Sequence, residues 1–334
     1  MVGGKPLRDR PEVRIDPSDV GRRVSVRRVD GVADGRPVFR DVIGVLTSWD
    51  DDGLTVESRG GVSAHFGSEL VVAGKPVPPF PARNVPVPGA TPAELQRTAG
   101  RGWPAIEQQP LGDWLLRASA GFTRRANSVQ ALGDPGLPLD EALDAVRDWY
   151  AARGLPAHIE VVEGSSAPEL DGLGEHLAPT TVRTAPLGAL TGAAAPDSWR
   201  QVRLSRTADR DWLSLYRRVG DDPALESAAS AVLHGGPSVW LAHVPGPDGT
   251  PLAIGRIVVD GAWAGLSAVE VVPAARRRGL ATTVMAVLAA RAAEEGATGA
   301  YLQVEADNHG AQALYDRQGF TTSHTYHYAR LSQR

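Results

Sequence analysis

The sequence predicts a mixed α+β and α/β fold in which a small β-barrel precedes a mixed sheet flanked by helices. Short β-rich runs separated by tight turns occupy the N-terminal part of the chain. A proline-dense stretch follows, and beyond it runs of strand length alternate with patterns of helical period. These changes divide the chain into a loose tail at 1–16, a barrel at 17–75, a linker at 76–100, a first mixed region at 101–195 and a second at 196–334.

Composition limits the classes of protein that the chain can represent. At 334 residues it is too long for one ordinary core, and 42% apolar with 22% charged residues is typical of globular domains. The net charge of −4 gives no reason to expect nucleic acid or an anionic membrane as partner. The absence of cysteine excludes disulfides, thiolate metal sites and cysteine nucleophiles, and it fits a cytoplasmic protein. No signal peptide or membrane-spanning run is expected.

The barrel is predicted from five short apolar runs. They lie at 24–29, 42–46, 54–57, 62–66 and 70–72, and the acidic turn at 50–53 joins the second to the third. Their number and spacing resemble the topology of an SH3-like barrel. We expect this module to contact a protein or to influence the choice of substrate, because it carries no cluster of catalytic residues.

The linker is predicted from its prolines. A segment rich in proline is extended and stiff, and it lacks an apolar face that could pack on a core. The prolines between the barrel and the first mixed region are Pro76, Pro78, Pro79, Pro81, Pro86, Pro88 and Pro92.

The two mixed regions share one order of elements. Strands at 114–118 and 128–132, a helix over 142–150 and a strand at 158–162 recur with similar lengths over 263–305. This repeat indicates two copies of one unit. The loop at 133–138 of the first copy has no arginine, and its prolines lack N–H donors, so it is predicted not to bind an anion.

The second copy contains a predicted anion site. A buried strand ends at Pro273, and a basic loop runs directly into a helix that ends near Glu295. The unpaired N–H groups and the positive dipole end of such a helix bind anions, and glycine lets a phosphate approach the backbone. Three arginines add donors for phosphate oxygens. The residues of the loop are Arg276, Arg277, Arg278, Gly279, Leu280 and Ala281.

Two motifs in this region resemble those of the Gcn5-related N-acetyltransferase (GNAT) superfamily. Arg276-x-x-Gly279-x-Ala281 is similar to its pyrophosphate loop, Q/R-x-x-G-x-G/A. Downstream, Asn308-x-x-Ala311-x-x-Leu314-Tyr315-x-x-x-Gly319-Phe320 is similar to its second signature. The resemblance covers about 198–331 and identifies 196–334 as a complete GNAT fold. The region 101–195 then resembles a degenerate GNAT half, and the layout is similar to actinobacterial acetyltransferases with an SH3-like N-terminal module.

The resemblance implies transfer of an acetyl group from acetyl-CoA to a primary amine. It places the pantetheine arm between two splayed strands and the phosphates at the basic loop. The residues that it implies for binding the coenzyme are Val269, Val271, Arg276, Arg277, Arg278, Gly279, Leu280, Ala281, Thr282 and Asn308. Asn308 is also a potential helix cap.

The resemblance also implies catalytic roles. Tyr315 occupies the position of the general acid that protonates the leaving thiolate, although packing alone also explains a tyrosine there. Glu270 is the candidate base, Glu305 is its rival, and a water chain that uses neither remains open. No metal is expected, since His309, His324 and His327 lack convincing ligand spacing. The alternative function is a non-catalytic sensor or scaffold that binds acetyl-CoA.

The acceptor amine is left open by the sequence. A small metabolite or antibiotic, a lysine side chain and a protein N-terminus all fit. We expect its pocket to be built by helices at 209–217 and 222–233 and by the partner lobe.

Overall fold

The chain folds into two compact units. The computed structural model describes residues 13–33, 35–58, 62–77, 85–194, 196–216 and 223–332. The smaller unit contains the described residues up to 77 together with 203–205, and the larger unit contains the others. None of the helices in these ranges is both long and apolar enough to cross a membrane.

The smaller unit is a five-stranded antiparallel sheet. Its strands follow the order β4-β3-β2-β1-β5 around a core that includes Ile15, Val26, Leu54 and Phe66. The strands are β1 (Arg23–Ala33), β2 (Arg36–Asp50), β3 (Gly53–Glu57), β4 (Ser63–Phe66) and β5 (Val71–Pro76). In the described part of the unit β4 and β5 do not pair, so the sheet is open and the predicted closed SH3-like barrel is not confirmed.

The tail predicted at 1–16 does not extend to residue 16. Residues 1–12 lie outside the described ranges, but Ile15 is buried in the core of the small sheet. The Asp16 side chain accepts a hydrogen bond from the Ser18 N–H and caps the short 3-10 turn Pro17–Asp19. The segment is polar overall, so its composition did not indicate that Ile15 is buried.

The larger unit contains the helices and most of the strands. Its first half comprises α1 (Pro92–Gly102), β6 (Glu107–Leu111), β7 (Trp114–Ala118), β8 (Val129–Gln130), α2 (Leu139–Ala151), β9 (His158–Val162), β10 (Glu175–Pro186) and α3 (Leu187–Thr191). After β11 (Arg203–Ser205), which groups with the smaller unit, its second half comprises α4 (Arg210–Leu215), α5 (Pro223–His234), β12 (Ser238–Pro245), β13 (Pro251–Asp260), β14 (Trp263–Val271), α6 (Leu280–Glu294), β15 (Gly299–Glu305), α7 (His309–Arg317) and β16 (Thr321–Arg330).

One sheet runs through both halves of the larger unit. Its strand order is β12-β13-β14-β15-β10-β16-β9-β8-β7-β6. The pairs β8/β9 and β14/β15 are parallel, and each is connected through a helix, α2 or α6. The other pairs are antiparallel.

The halves exchange their closing strands. β10 follows β9 in the chain but pairs with β15 of the second half, whereas β16 closes the chain by pairing with β9 of the first half. β10 and β16 also pair with each other at the centre of the sheet. The hydrogen-bonded ladder therefore continues across the predicted boundary between 101–195 and 196–334, and that boundary stays a prediction about folding units.

The predicted linker is wrong at its C-terminal end. Residues 78–84 lie outside the described ranges, but α1 occupies the last part of 76–100. Thr91 and Glu94 form a capping box, and Pro92 stands in the first turn, where a helix tolerates proline. Leu95 and Ala99 are buried in the core of the larger unit. Pro92 therefore starts a packed helix and does not continue an extended spacer.

Candidate functional site

The site is built where β14 and β15 separate. The two parallel strands pair only at Trp263/Gly299, Ala264/Ala300 and Gly265/Tyr301, although both continue for several residues beyond. The later backbone groups of β14 on that side therefore have no β15 partner, and a gap opens between the strands. Extended chains bind to such free strand edges through their amides.

A bulge in β14 changes its direction at this gap. Between Ser267 and Glu270 the strand spans three residues while its partner β13 spans two, from Arg256 to Ile254. Ala268 has a φ of 51°, which is uncommon for a residue other than glycine. Bulges re-aim side chains and backbone groups next to active sites. The bulge includes Val269 and ends at Glu270, two of the predicted site residues.

The loop after β14 has the geometry of an anion site. A 3-10 turn, Pro273–Ala275, leads into the loop, and α6 begins at Leu280. Arg277 and Gly279 have φ angles of 61° and 77°. Within the described residues, the N–H groups of 277–282 have no backbone acceptor. Alternating backbone conformations of this kind turn successive N–H groups toward one point, which favours an anion there.

Gly279 keeps this point accessible. A Cβ added at Gly279 would meet nothing within 4 Å, so the space before the helix start is open. The Leu280 side chain is buried in the core. Arg276 and Arg277 are exposed, and the Arg276 Nε lies 3.4 Å from the Val271 carbonyl oxygen.

The loop and the strand gap border one cleft of about 1030 Å³. All of the predicted site residues except Arg278 line it. The cleft joins a second cavity of about 430 Å³, which shares with it Val269, Glu270, Asn308, Ala311 and Tyr315. The fold therefore brings the predicted residues together, with Arg278 as the exception, and their roles stay predictions.

Helix α7 carries Tyr315 to the boundary between the cleft and the cavity. Asn308 caps the helix, since its Oδ1 accepts a hydrogen bond of 3.1 Å from the Ala311 N–H. Tyr315 is half-buried, and its ring packs edge-on against Phe320 at 5.7 Å. Burial raises the pKa of Tyr315 to about 12, against a smaller opposing effect of Arg183. The hydroxyl is therefore protonated at neutral pH.

Arg183 of β10 holds α7 in place. Its guanidinium pairs with Asp316 and donates to the carbonyl oxygens of Phe320 and Gln312, at 2.6 and 3.4 Å. The residue belongs to the first half and has no motif around it. Its role depends on the pairing of β10 with β15, so short-range sequence reasoning missed it.

The two candidate bases lie on opposite sides of the strand gap. Glu270 on β14 is half-buried and lines both the cleft and the cavity. Glu305 at the end of β15 is exposed and lines only the cavity. The position of Glu270 next to both spaces favours it as the group that meets an acceptor beside the coenzyme.

The outer wall of the cavity contains residues that the sequence did not indicate. The first half contributes Trp103, Thr123, Arg124, Arg125 and Thr180. The exchanged strand β16 contributes Tyr326 and Tyr328. The helices expected to build this pocket contribute Tyr216, directly after α4. Residues 217–222 lie outside the described ranges.

The comparisons with known proteins agree with this geometry. Residues 93–329 match the family described as "Probable histone acetyltransferase Rv0428c C-terminal". The chain belongs to this family of GNAT acetyltransferases. The match begins at α1 and ends within β16, so it covers both halves and the strand exchange between them.

Two curated relatives and one solved structure support the assignment. The chain is 26% identical over 240 residues to "Uncharacterized N-acetyltransferase YobR" of Bacillus subtilis, covering 70% of this chain and 96% of that protein. It is 28% identical over 320 residues to "Probable histone acetyltransferase Rv0428c" of Mycobacterium tuberculosis, covering 92% and 94%. A GCN5-related N-acetyltransferase from Kribbella flavida has the same fold, with a TM-score of 0.52, 19% identity and coverage of 73% and 96%. The chain is therefore a GNAT-type acyltransferase.

The three histidines near the C-terminal end, His309, His324 and His327, do not form one cluster. The His324 Nε2 lies 3.1 Å from the Gln96 Oε1, and His309 starts α7. His327 instead stacks on His176 at 3.9 Å, and together with Asp171 they place potential ligand atoms within 4.8 Å of one another. The prediction that the enzyme uses no metal is not tested by this arrangement.

Proposed function

We propose that the chain transfers an acetyl group from acetyl-CoA to a primary amine. The observation that carries this proposal is the continuous path from the anion loop along the strand gap to a cavity, with Tyr315 where the two spaces meet. The proposed acetyl donor fits the residues present, because phosphates need free N–H donors and arginines, and pantetheine amides need a free strand edge.

In this proposal, the phosphates of the coenzyme bind to the backbone N–H groups of 277–282 and to the side chains of Arg276 and Arg277. The backbone of Val269 and Val271 pairs with the pantetheine amides. The second motif, around Asn308 and Tyr315, then borders the thioester. Arg278 is not part of the cleft wall, so its proposed contribution to coenzyme binding is limited to its positive charge.

Conversion of an ammonium to an amide removes two protons from the nitrogen, one before the attack and one after it, and the leaving thiolate gains one, so one proton is released overall. The amine nitrogen forms a bond to the carbonyl carbon of the thioester, the C–S bond breaks, and the thiolate takes a proton. Tyr315, whose raised pKa keeps it protonated well above neutral pH, is the proposed donor of that proton. The amine must lose a proton, since an ammonium has no lone pair and a typical amine pKa is about 10.4. Glu270 is the proposed acceptor of this proton, directly or through water.

The choice between Glu270 and Glu305 has a direct test. Glu270→Gln should lower the rate at neutral pH by at least about tenfold and flatten the rising limb of the pH–rate profile, because an amide cannot accept the proton. Glu305→Gln is the matched control on the facing strand and should keep that limb. A flattened limb in Glu305→Gln alone would place the base on β15.

Release of the coenzyme A thiol, measured with a panel of amines, tests the proposed function. We expect release that depends on the amine, and hydrolysis of acetyl-CoA at a rate independent of any amine would contradict it. The relative whose name includes histone acetyltransferase makes protein lysine one acceptor to include. The smaller unit is a proposed contact for a partner protein.

A further inference from the structure

The cavity beside the strand gap is lined by charges of both signs. The first half contributes the guanidinium groups of Arg124 and Arg125, and the second half contributes the carboxylates of Glu270 and Glu305. Under the function proposed above, an acceptor must place its amine next to the thioester and therefore near the carboxylates. The arginines then face the remainder of the acceptor.

A built loop holds the two arginines. They lie in the 3-10 turn Arg124–Ala126, and Thr123 before it has a φ of 55°. The buried Asn127 side chain fixes this loop with four hydrogen bonds of 2.8 to 3.0 Å, accepting from the N–H groups of Ser119 and Gly121 and donating to the carbonyls of Phe122 and Thr123. A loop braced in this way presents its side chains with little loss of entropy on binding.

In the part of the chain that the structure describes, the two arginines have no directly paired carboxylate, although, against the lowering effect of burial, a hydrogen bond with Tyr326 and the charge of Glu160 help to raise the pKa of Arg125. Within the described residues neither forms an ion pair with a carboxylate. Each lies near an aromatic ring instead, Arg124 at 5.6 Å from Tyr328 and Arg125 at 5.5 Å from Trp103. The Arg125 Nε is buried without a hydrogen-bond partner.

The size and walls of the cavity limit what can fill it. Its volume of about 430 Å³ lies within the range for small-molecule sites, about 300–1,000 Å³. Trp103, Tyr216, Tyr326 and Tyr328 give it an aromatic lining. A peptide rich in lysine would bring several positive charges toward the two arginines, and this like-charge contact disfavours it.

We infer that the acceptor is a small amine that also carries an anionic group, with its amine toward Glu270 and Glu305 and its anion on Arg124 and Arg125. A carboxylate matches the planar guanidinium donors and forms charge-assisted hydrogen bonds with them. The acceptor class is then that of zwitterionic amino acids and their relatives, in contrast to polyamines and basic protein segments.

Matched acceptor pairs test this inference. ω-Amino acids are compared with alkylamines of the same chain length, and a lysine-rich peptide is the third substrate. We expect kcat/KM for the amino acid to exceed that of its alkylamine by at least about tenfold, as for one charge-assisted hydrogen bond. Arg124→Gln and Arg125→Gln should bring this ratio toward one, whereas Arg125→Lys should keep part of it. Arg147→Gln, on α2 and outside the cavity, is the control and should keep the full ratio.

Binding of the same pairs, measured by calorimetry with coenzyme A present, separates this inference from the proposed function. Tighter binding of the amino acid, lost in Arg125→Gln, supports the inference even if no acetyl group is transferred. Equal binding and equal kcat/KM for both members of a pair, or a preference for the lysine-rich peptide, would overturn it. Failure of every amine to release thiol would count against the transfer reaction alone.

Discussion

Replacement of Tyr315 by phenylalanine should lower kcat by about 10²–10⁴, the usual contribution of a general acid. The affinity for acetyl-CoA should change little, because the ring and its contact with Phe320 remain. Initial rates of thiol release and calorimetric titration with acetyl-CoA measure the two quantities separately. A loss of this size with unchanged affinity assigns the hydroxyl to the chemical step.

Tyr301→Phe is the matched control for Tyr315→Phe. Burial also raises the pKa of Tyr301 to about 12, but its side chain packs in the core and lines neither the cleft nor the 430 Å³ cavity. We expect this variant to retain most of its activity. Since the pKa of Tyr315 is raised, the wild-type enzyme should keep its proton donor through pH 10. Full turnover in Tyr315→Phe would reduce Tyr315 to a packing residue.

Arg117→Met should lower the free energy of unfolding by about 3–5 kcal/mol, the usual effect of breaking a buried ion pair. Arg117 and Glu160 are 1% and 0% exposed, and their side chains meet at 2.9 Å. Burial lowers the pKa of Arg117, but Glu160, together with Tyr328 and Tyr150, more than offsets this effect and the pKa is raised. The variant would remove the guanidinium that pairs with the buried Glu160 side chain. Urea unfolding measures the difference.

The network around Glu160 explains why the effect should be large. Its carboxylate also accepts from Gln96 of α1 at 2.9 Å and from Gln130 of β8 at 3.3 Å. The matched control is Arg147→Met, which breaks the more exposed pair with Asp144 on α2 and should cost about 1 kcal/mol or less. The double variant Arg117→Met/Glu160→Leu should recover stability relative to Arg117→Met. A loss in Arg117→Met no larger than in Arg147→Met would contradict the account.

Local motifs predicted the part of the site that local backbone geometry builds. The loop from Arg276 to Ala281 and the helix that carries Tyr315 are each determined by neighbouring residues, such as the glycine before α6 and the asparagine cap of α7. Their spacing in the chain was therefore sufficient to expect both at one coenzyme site.

The acceptor side of the site depends on contacts that are distant in sequence. Arg124, Arg125 and Trp103 reach the cavity only because the halves share one sheet, and Tyr326 and Tyr328 reach it only because β16 crosses to β9. Periodicity shows that a segment forms a strand but not which strand it pairs with. The exchange of β10 and β16 could not be predicted for this reason. The burial of α1 was missed because its prolines resembled those of an extended linker.

The most direct test of acetyl transfer is a combined count of thiol released and amine acetylated with one amino-acid acceptor. We expect thiol release to rise with acceptor concentration and to saturate. Mass spectrometry should find one acetylated amine for each thiol released. Binding of acetyl-CoA without thiol release that depends on this or any other amine of the panel would contradict acetyl transfer and would identify the chain as a sensor of the coenzyme.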